Sequence, residues 1–311
     1  GDGSWQQSFG FLDGGSDHLV RTCDINNDGH MDIVASHQFG AAWFGDGTGD
    51  FTKNDTGLPL TGANMLRGMD ISRMNDQPVT GISCTNLSGG VEVYAWNNST
   101  SEWDDWSGNL PASGPYQLTQ LHDMNRDGLA DVMAFGNKQF QLWLGNGAGN
   151  WTADVSFTTP GNPGNGNALR AGGDFDLNGH PDFLVLAQEL TGGWIQFEKN
   201  ILYMYFEESA ADSLLIEPVF PRGGENFYPG TTQFIEWACE VPEGESSTVN
   251  IEISAFGPDG PWWTLAENLP NSGKYQWTVP DYGSDQVYLK MTVETSSGNA
   301  AVGITNDAFN I

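Results

Sequence analysis

Basic residues are scarce: 11 Lys and Arg stand against 40 Asp and Glu in 311 residues, a formal net charge of −29. That imbalance excludes nucleic acid and anionic membrane surfaces as partners, because both require a basic face. Cysteine is scarcer still. Cys23, Cys84 and Cys239 form no CxxC and no Cys/His cluster, which argues against a zinc site and is too few for a disulfide framework, with one Cys23–Cys84 bridge left open. No apolar run approaches the roughly 20 residues of a membrane helix, and helical periodicity is lacking throughout. No signal peptide is present, yet Gly1 is not a natural start, so processing or trimming is expected. Reactive motifs are missing too. There is no GxSxG, HExxH or Walker loop. The histidines are His30 and His180 within acidic loops and His18, His37 and His122 in or beside apolar strands. The expectation is a protein that is not an enzyme.

What the chain does have is glycine, at 41 residues, and many aromatics, a combination that suits short strands joined by tight turns. The stretch DINNDGHMDIV at 24–34 sets Asp24, Asn26, Asp28 and Asp32 at positions 1, 3, 5 and 9, with Gly29 for the sharp turn and the His30 carbonyl at position 7. These are hard oxygen donors of the kind Ca²⁺ prefers, and a loop offering five or six of them suits Mg²⁺ less well. Position 12 is Ala35 rather than a bidentate Glu, so this is not an EF-hand. The motif recurs at 123–131, with Asp123, Asn125, Asp127, Leu129 and Asp131, and at 174–182, with Asp174, Asp176, Asn178, His180 and Asp182. A degenerate copy is expected at 70–79, where the ligand positions read Asp70, Ser72, Met74 and Pro78 and the metal is lost. One such loop could be Asx-turn chemistry alone; three in register argue for a cation, because three carboxylates within nine residues repel unless neutralised. The expected role of about three Ca²⁺ ions is structural, each cross-linking two strands.

The copies start at 24, 70, 123 and 174, a period near 50 that signals propeller blades or a repeat array. Each unit carries an apolar strand (HLVRTC, QLTQLH, NALRAGG), the loop, a second strand (DIVAS, DVMAF, DFLVLA), a third (AAWFG, VEVYAW, QFQLWLG, GWIQF) and a glycine turn (GDGTGDF, GNGAGNW) that begins a fourth. On these motifs residues 1–212 resemble the FG-GAP/VCBS repeats of integrin α-subunit-type β-propellers. The resemblance implies a Ca²⁺ in each intact loop, a secreted or cell-surface location, and a ring of which four blades are visible. The opening GDGSWQQSFGF matches the turn and last strand of a further repeat. Either a longer ring has been cut, or this orphan strand closes a smaller one, or another chain completes it.

From about Leu214 alternating strands separated by Gly/Pro/Asn turns predict a β-sandwich over 213–311. It resembles the Ig-like and fibronectin-like modules of secreted bacterial proteins and the fungal cell-wall Ser/Thr-rich family, on P-x-G-G-E, I-x-W and N-S-G-x-Y-x-W-x-V-P. Trp43, Trp96 and Trp143, with Phe197 as the fourth, are expected to share one place in their third strands and to pack between blades. Trp103, Trp106 and Trp151 near fourth strands are the candidates for exposed sugar-stacking positions. One of Trp262 and Trp263 is expected in the sandwich core. The chain thus reads as an all-β, calcium-stabilised adhesion or recognition protein for a glycan, matrix or protein partner. Two alternatives remain: the non-catalytic part of a secreted polysaccharide-degrading enzyme, or a self-assembling subunit of an extracellular filament or surface layer.

Overall fold

The computed structural model describes residues 19–36, 42–59, 66–75, 77–163, 168–191, 197–209, 211 and 213–311. The orphan strand expected near Gly1 and the residues His18 and His37 lie outside them. Every regular element described is a strand.

Strands β1 (Val20–Cys23), β2 (Asp32–Ala35), β3 (Ala42–Gly45) and β4 (Phe51–Lys53) pair in that order as blade 1. Blade 2 is β5 (Arg67–Arg73), β6 (Thr80–Thr85), β7 (Val91–Asn97) and β8 (Glu102–Asp105). Blade 3 is β9 (Leu118–His122), β10 (Asp131–Gly136), β11 (Gln139–Gly145) and β12 (Trp151–Thr158). In blade 4, β13 (Asn162–Pro163) and β14 (Leu169–Gly173) both pair with β15 (Asp182–Thr191), which pairs on its other side with β16 (Phe197–Tyr205). The sheets are antiparallel, and the first strands β1, β5, β9 and β14 of successive blades lie against one another. This is the build of propeller-like blades.

Apolar seams hold the blades together. Phe44, Tyr94, Trp96 and Trp103 share the core between blades 1 and 2, Val93, Leu121, Trp143 and Trp151 that between blades 2 and 3, and Phe135, Phe140, Leu169 and Val185 that between blades 3 and 4. Trp43, Trp96 and Trp143 are buried as a packing role requires, and so are Trp103 and Trp151, which removes these two as exposed sugar platforms.

Two expectations shift in register. Cys23 pairs with Asp32, His122 with Asp131 and Gly173 with Asp182, and the matching pair in blade 2 is Arg73 with Thr80. The loop of blade 2 therefore starts at Met74 rather than Asp70, spans six residues instead of eight, and restores even intervals of 50, 49 and 51 between loop starts. Asp70 belongs to β5, where it receives Arg21 Nε at 3.2 Å, Gln120 Nε2 at 2.5 Å and the Leu121 N–H at 3.1 Å, joining the first strands of three blades. Likewise Trp43 opposes Ile33, Trp143 opposes Val132 and Tyr205 opposes Phe183, so Tyr205 rather than Phe197 holds that place in blade 4. In blade 2 the same place is Ala95, one residue before Trp96.

Beyond the blades, β17 (Leu215–Phe220), β18 (Thr232–Glu240) and β21 (Lys274–Thr278) form one sheet. A second takes the order β20 (Trp263–Pro270), β19 (Ser247–Ser254), β22 (Tyr288–Thr295) and β23 (Ala300–Ile304). Ile216, Ile235 and Trp237 of the first meet Val249, Ile251, Leu289 and Met291 of the second in a single core. Neither Trp262 nor Trp263 enters it: Trp262 is half-buried under the Lys290 ammonium and Trp263 is exposed. All three cysteines are free thiols.

Candidate metal centres and the loop face

Each acidic loop folds around its own carboxylates. In loop 24–32, Asp24 accepts the N–H groups of Asp28 at 3.0 Å and Gly29 at 2.7 Å, and Asp28 accepts that of His30 at 2.8 Å. Loop 123–131 repeats this, with Asp127 and Gly128 donating to Asp123 at 3.1 and 2.8 Å and Leu129 to Asp127 at 2.9 Å. In loop 174–182, Gly179 donates to Asp174 at 3.0 Å and His180 to Asn178 at 2.8 Å.

The ninth position is an anchor. Asp32 is fully buried and accepts the Ile25 N–H at 2.7 Å and the Gly45 N–H at 2.9 Å. Asp131 takes Met124 and Gly145 at 2.7 and 2.9 Å, and Asp182 takes Phe175 and Glu207 at 2.7 and 2.9 Å. This explains the glycine after the aromatic in AAWFG: a Cβ on Gly45 would stand 2.5 Å from the Met31 carbonyl oxygen, so the backbone must come close to reach Asp32. Blade 4 has Glu207 in that position, which sequence spacing could not show.

Burial is the main reason these carboxylates resist ionisation, and their neighbours' charge adds to it while backbone N–H groups partly offset it. Asp24 and Asp174 are pushed up to about 6 and Asp32 and Asp131 to about 7. Asp123 and Asp182 are raised as well. Loop 174–182 fits a cation best. Its Asp174, Asp176 and Asp182 carboxylates bring oxygens within 4.8 Å of one another, the one such trio among the described residues. Asp174 Oδ1 is buried without a hydrogen-bond partner, and a buried acceptor left so is costly unless something else meets it. The other two loops have Asn at the third position; Asn26 and Asn125 donate to Asp28 and Asp127 at 2.9 and 3.0 Å.

The fourth residue of each loop was not singled out by sequence. Asn27, Arg126 and Leu177 all take positive φ, at 58°, 61° and 61°, and each reaches the two-sheet unit. Asn27 donates to the Gly224 carbonyl at 2.5 Å and receives Asn226 Nδ2 on its own carbonyl at 2.6 Å. Arg126 pairs with Glu217 at 2.7 Å, and the Leu177 carbonyl accepts the Val241 N–H at 3.0 Å. The shorter loop of blade 2 is served by Arg73, which pairs with Glu225 and donates to the Gly223 carbonyl at 3.0 Å. Tyr228 stacks on His30 with centroids 4.6 Å apart. The two-sheet unit therefore sits on the loop face of all four blades. Two cavities remain in this contact, one of about 590 Å³ bounded by Asp123, Arg126, Asp174 and Trp237, the other of about 390 Å³ bounded by Asp24, Arg73 and Glu225.

Residues 123–185, covering blade 3 and the start of blade 4, match the FG-GAP-like repeat family. With the sheet order above, the repeats are of β-propeller type. No curated protein matches the chain. Among solved structures, SapL1 lectin in complex with α-methyl fucoside is 14% identical, covering 91% of this chain and 94% of its own at a TM-score of 0.36. A mutant of AofleA from Arthrobotrys oligospora is 12% identical, covering 96% and 89% at 0.32. An Agrocybe aegerita lectin described as recognising non-reducing terminal N-acetylglucosamine is 13% identical, covering 85% and 71% at 0.33.

Proposed function

We propose that this chain is a calcium-stabilised recognition module of a secreted or cell-surface protein, without catalysis of its own, in which blades over 1–212 carry an Ig-like sandwich over 213–311. The observation that carries the reading is the convergence of Asp174, Asp176 and Asp182 around the partnerless Asp174 Oδ1, in a loop whose register repeats twice more. Asp174, Asp176, Asn178 and Asp182 would hold one ion with the His180 carbonyl. Asp24, Asn26, Asp28 and Asp32 with the His30 carbonyl, and Asp123, Asn125, Asp127 and Asp131 with the Leu129 carbonyl, would hold the others. A bound Ca²⁺ supplies charge neutralisation and a rigid cross-link.

The same loops supply the tips on which the sandwich rests, so their carboxylates serve shape rather than reaction. A rigid, strongly acidic assembly of this kind suits recognition of a neutral glycan or of a basic protein surface. Terbium luminescence titration, excited through nearby indoles, tests the metal reading; saturable binding displaced by Ca²⁺ is expected, and no binding below millimolar metal would refute it. A glycan and matrix-protein array, read with and without chelator, tests the partner.

A further inference from the structure

The two-sheet unit shows three large aromatic side chains to solvent at one place. Phe256, Trp263 and Tyr282 are 69%, 40% and 43% exposed. Trp263 is the shared member, its ring centroid 5.7 Å from that of Phe256 and 6.1 Å from that of Tyr282. Single exposed apolar residues are ordinary on a protein surface, whereas a contiguous group marks an interaction site. The backbone holds this group in place. Phe256 and Tyr282 come from the turns before β20 and β22, and the two turns are tied together. The Gly257 N–H donates to the Gln286 carbonyl at 3.0 Å, and Ser284 Oγ donates to the Ala255 carbonyl at 2.7 Å. Ser284 and Ile311 exchange backbone bonds of 2.9 Å in both directions. A surface fixed in this way before binding loses little freedom when a partner arrives.

Charge around the group is of one sign. The segments that carry it, 254–264 and 279–287, contain Asp259, Asp281 and Asp285, all exposed, and no Lys, Arg or His. The basic residues of 213–311 are Arg222, Lys274 and Lys290, and each serves elsewhere. Arg222 donates to the Gly128 carbonyl at 3.3 Å, and Lys274 lies over the Phe234 ring, 5.6 Å from its centroid. Lys290 pairs with Glu252 at 2.7 Å while its ammonium stands 4.7 Å from the Trp262 ring centroid. That last arrangement, an ammonium held by a carboxylate and an indole together, shows within this chain the guest that such chemistry takes. The ring planes of Phe256 and Trp263 meet at 53° and those of Trp263 and Tyr282 at 30°. The three rings therefore share no plane on which the flat face of a sugar chain could lie.

We propose that Phe256, Trp263 and Tyr282, with Asp259, Asp281 and Asp285 beside them in sequence, form the docking site for a basic segment of a partner protein. A lysine or arginine side chain of that segment lies against the Trp263 face, and the aspartates meet its charge. Aromatic anchors at the centre with charged groups at the rim are the usual build of a binding hot spot. Between the two partner classes that suit the acidic assembly, the site selects the basic protein surface over the neutral glycan. The inference rests on the recognition reading above but on none of the metal loops. The polar contacts that seat the unit on the blades run through residues within 217–241, and none of the six site residues is among them.

Fluorescence anisotropy of the full chain, in Ca²⁺ and physiological salt, with a short labelled peptide of Arg, Lys and Gly decides the matter. Saturable binding is expected, and Trp263→Ala should weaken it about tenfold without changing net charge. Trp263→Phe should keep much of the affinity. Phe256→Ser, at a side chain 69% exposed, should weaken binding several-fold and carries the test if Trp263→Ala folds poorly. Asp281→Asn combined with Asp285→Asn should lower affinity and flatten its salt dependence. Equal affinity in the unaltered chain and both aromatic variants would overturn the proposal, because attraction to a chain of net charge −29 is then unspecific. Absence of saturable binding would overturn it as well. So would a neutral oligosaccharide that binds more tightly than the peptide and is lost in Trp263→Ala, since a glycan would then occupy the rings. Partners found on the glycan and matrix-protein array and kept by Trp263→Ala would leave the recognition reading standing and remove this site.

Discussion

Replacing Arg73 by Ala tests whether the blades hold the two-sheet unit as the bonds between them indicate. Arg73 and Glu225 have side chains 20% and 9% exposed, and the Glu225 carboxylate also accepts the Arg222 and Gly223 N–H groups at 3.0 and 2.8 Å. Arg73 Nε further donates to the Asn75 and Gln77 carbonyls at 3.0 and 3.3 Å. Breaking a buried ion pair from one side costs about 3–5 kcal/mol. Here two backbone donors still serve the carboxylate and water can reach the vacated space, so about 2–3 kcal/mol is expected. Glu225→Gln should cost less, because the amide oxygen can keep one backbone bond. A double-mutant cycle in Ca²⁺-replete denaturant unfolding should return a coupling of about 1.5–2 kcal/mol. If both single variants lose under about 0.5 kcal/mol and the coupling is zero, the seating of the unit on blade 2 is wrong.

Other outcomes follow from the loops and seams. With chelator present, the raised Asp32 and Asp131 carboxyls favour the folded state while protonated; that contribution is full below about pH 4 and is lost as pH rises through about 7. Metal-free protein should therefore gain of order 2 kcal/mol per loop between pH 7 and 5. Ca²⁺-loaded protein should lose stability over the same range, since its ligands must be ionised; parallel slopes in melting curves would contradict this. Asp174→Asn should weaken terbium binding at one site roughly tenfold or more while leaving the other two loops unchanged. Trp151→Ala, which empties the seam between blades 2 and 3, should cost about 3–5 kcal/mol in denaturant unfolding.

How much of this was legible in the sequence depends on locality. The acidic loops are local objects, with carboxylates, glycine and turn within nine residues, and their positions needed no revision in three blades. The fourth copy was misplaced because Asp70 offered a matching letter four residues early. Its carboxylate is instead used by Arg21 and Gln120, partners 49 and 50 residues away, which no spacing rule could signal. The Phe197 assignment failed for a related reason: the strand it begins runs nine residues to Tyr205, and nothing in its composition marks which aromatic opposes Phe183. The loop tips were invisible because what unites them is a backbone angle, while their side chains are an amide, a guanidinium and an isobutyl group. A positive φ outside glycine leaves a faint trace in Asn27 and none in Arg126 or Leu177.

That difference among the tips has a consequence for assembly. Blades of one design are related by rotation, so a cap could in principle be mounted in several angular settings. Each blade, however, presents a different fitting: an amide in the first, a guanidinium aimed at Glu225 in the second, another aimed at Glu217 in the third, and a leucine beside Val241 in the fourth. Turning the cap by one blade would set a cation against the Leu177 seat, or an apolar tip against Glu217. The tips act like the wards of a lock, and they admit the cap at a single angle.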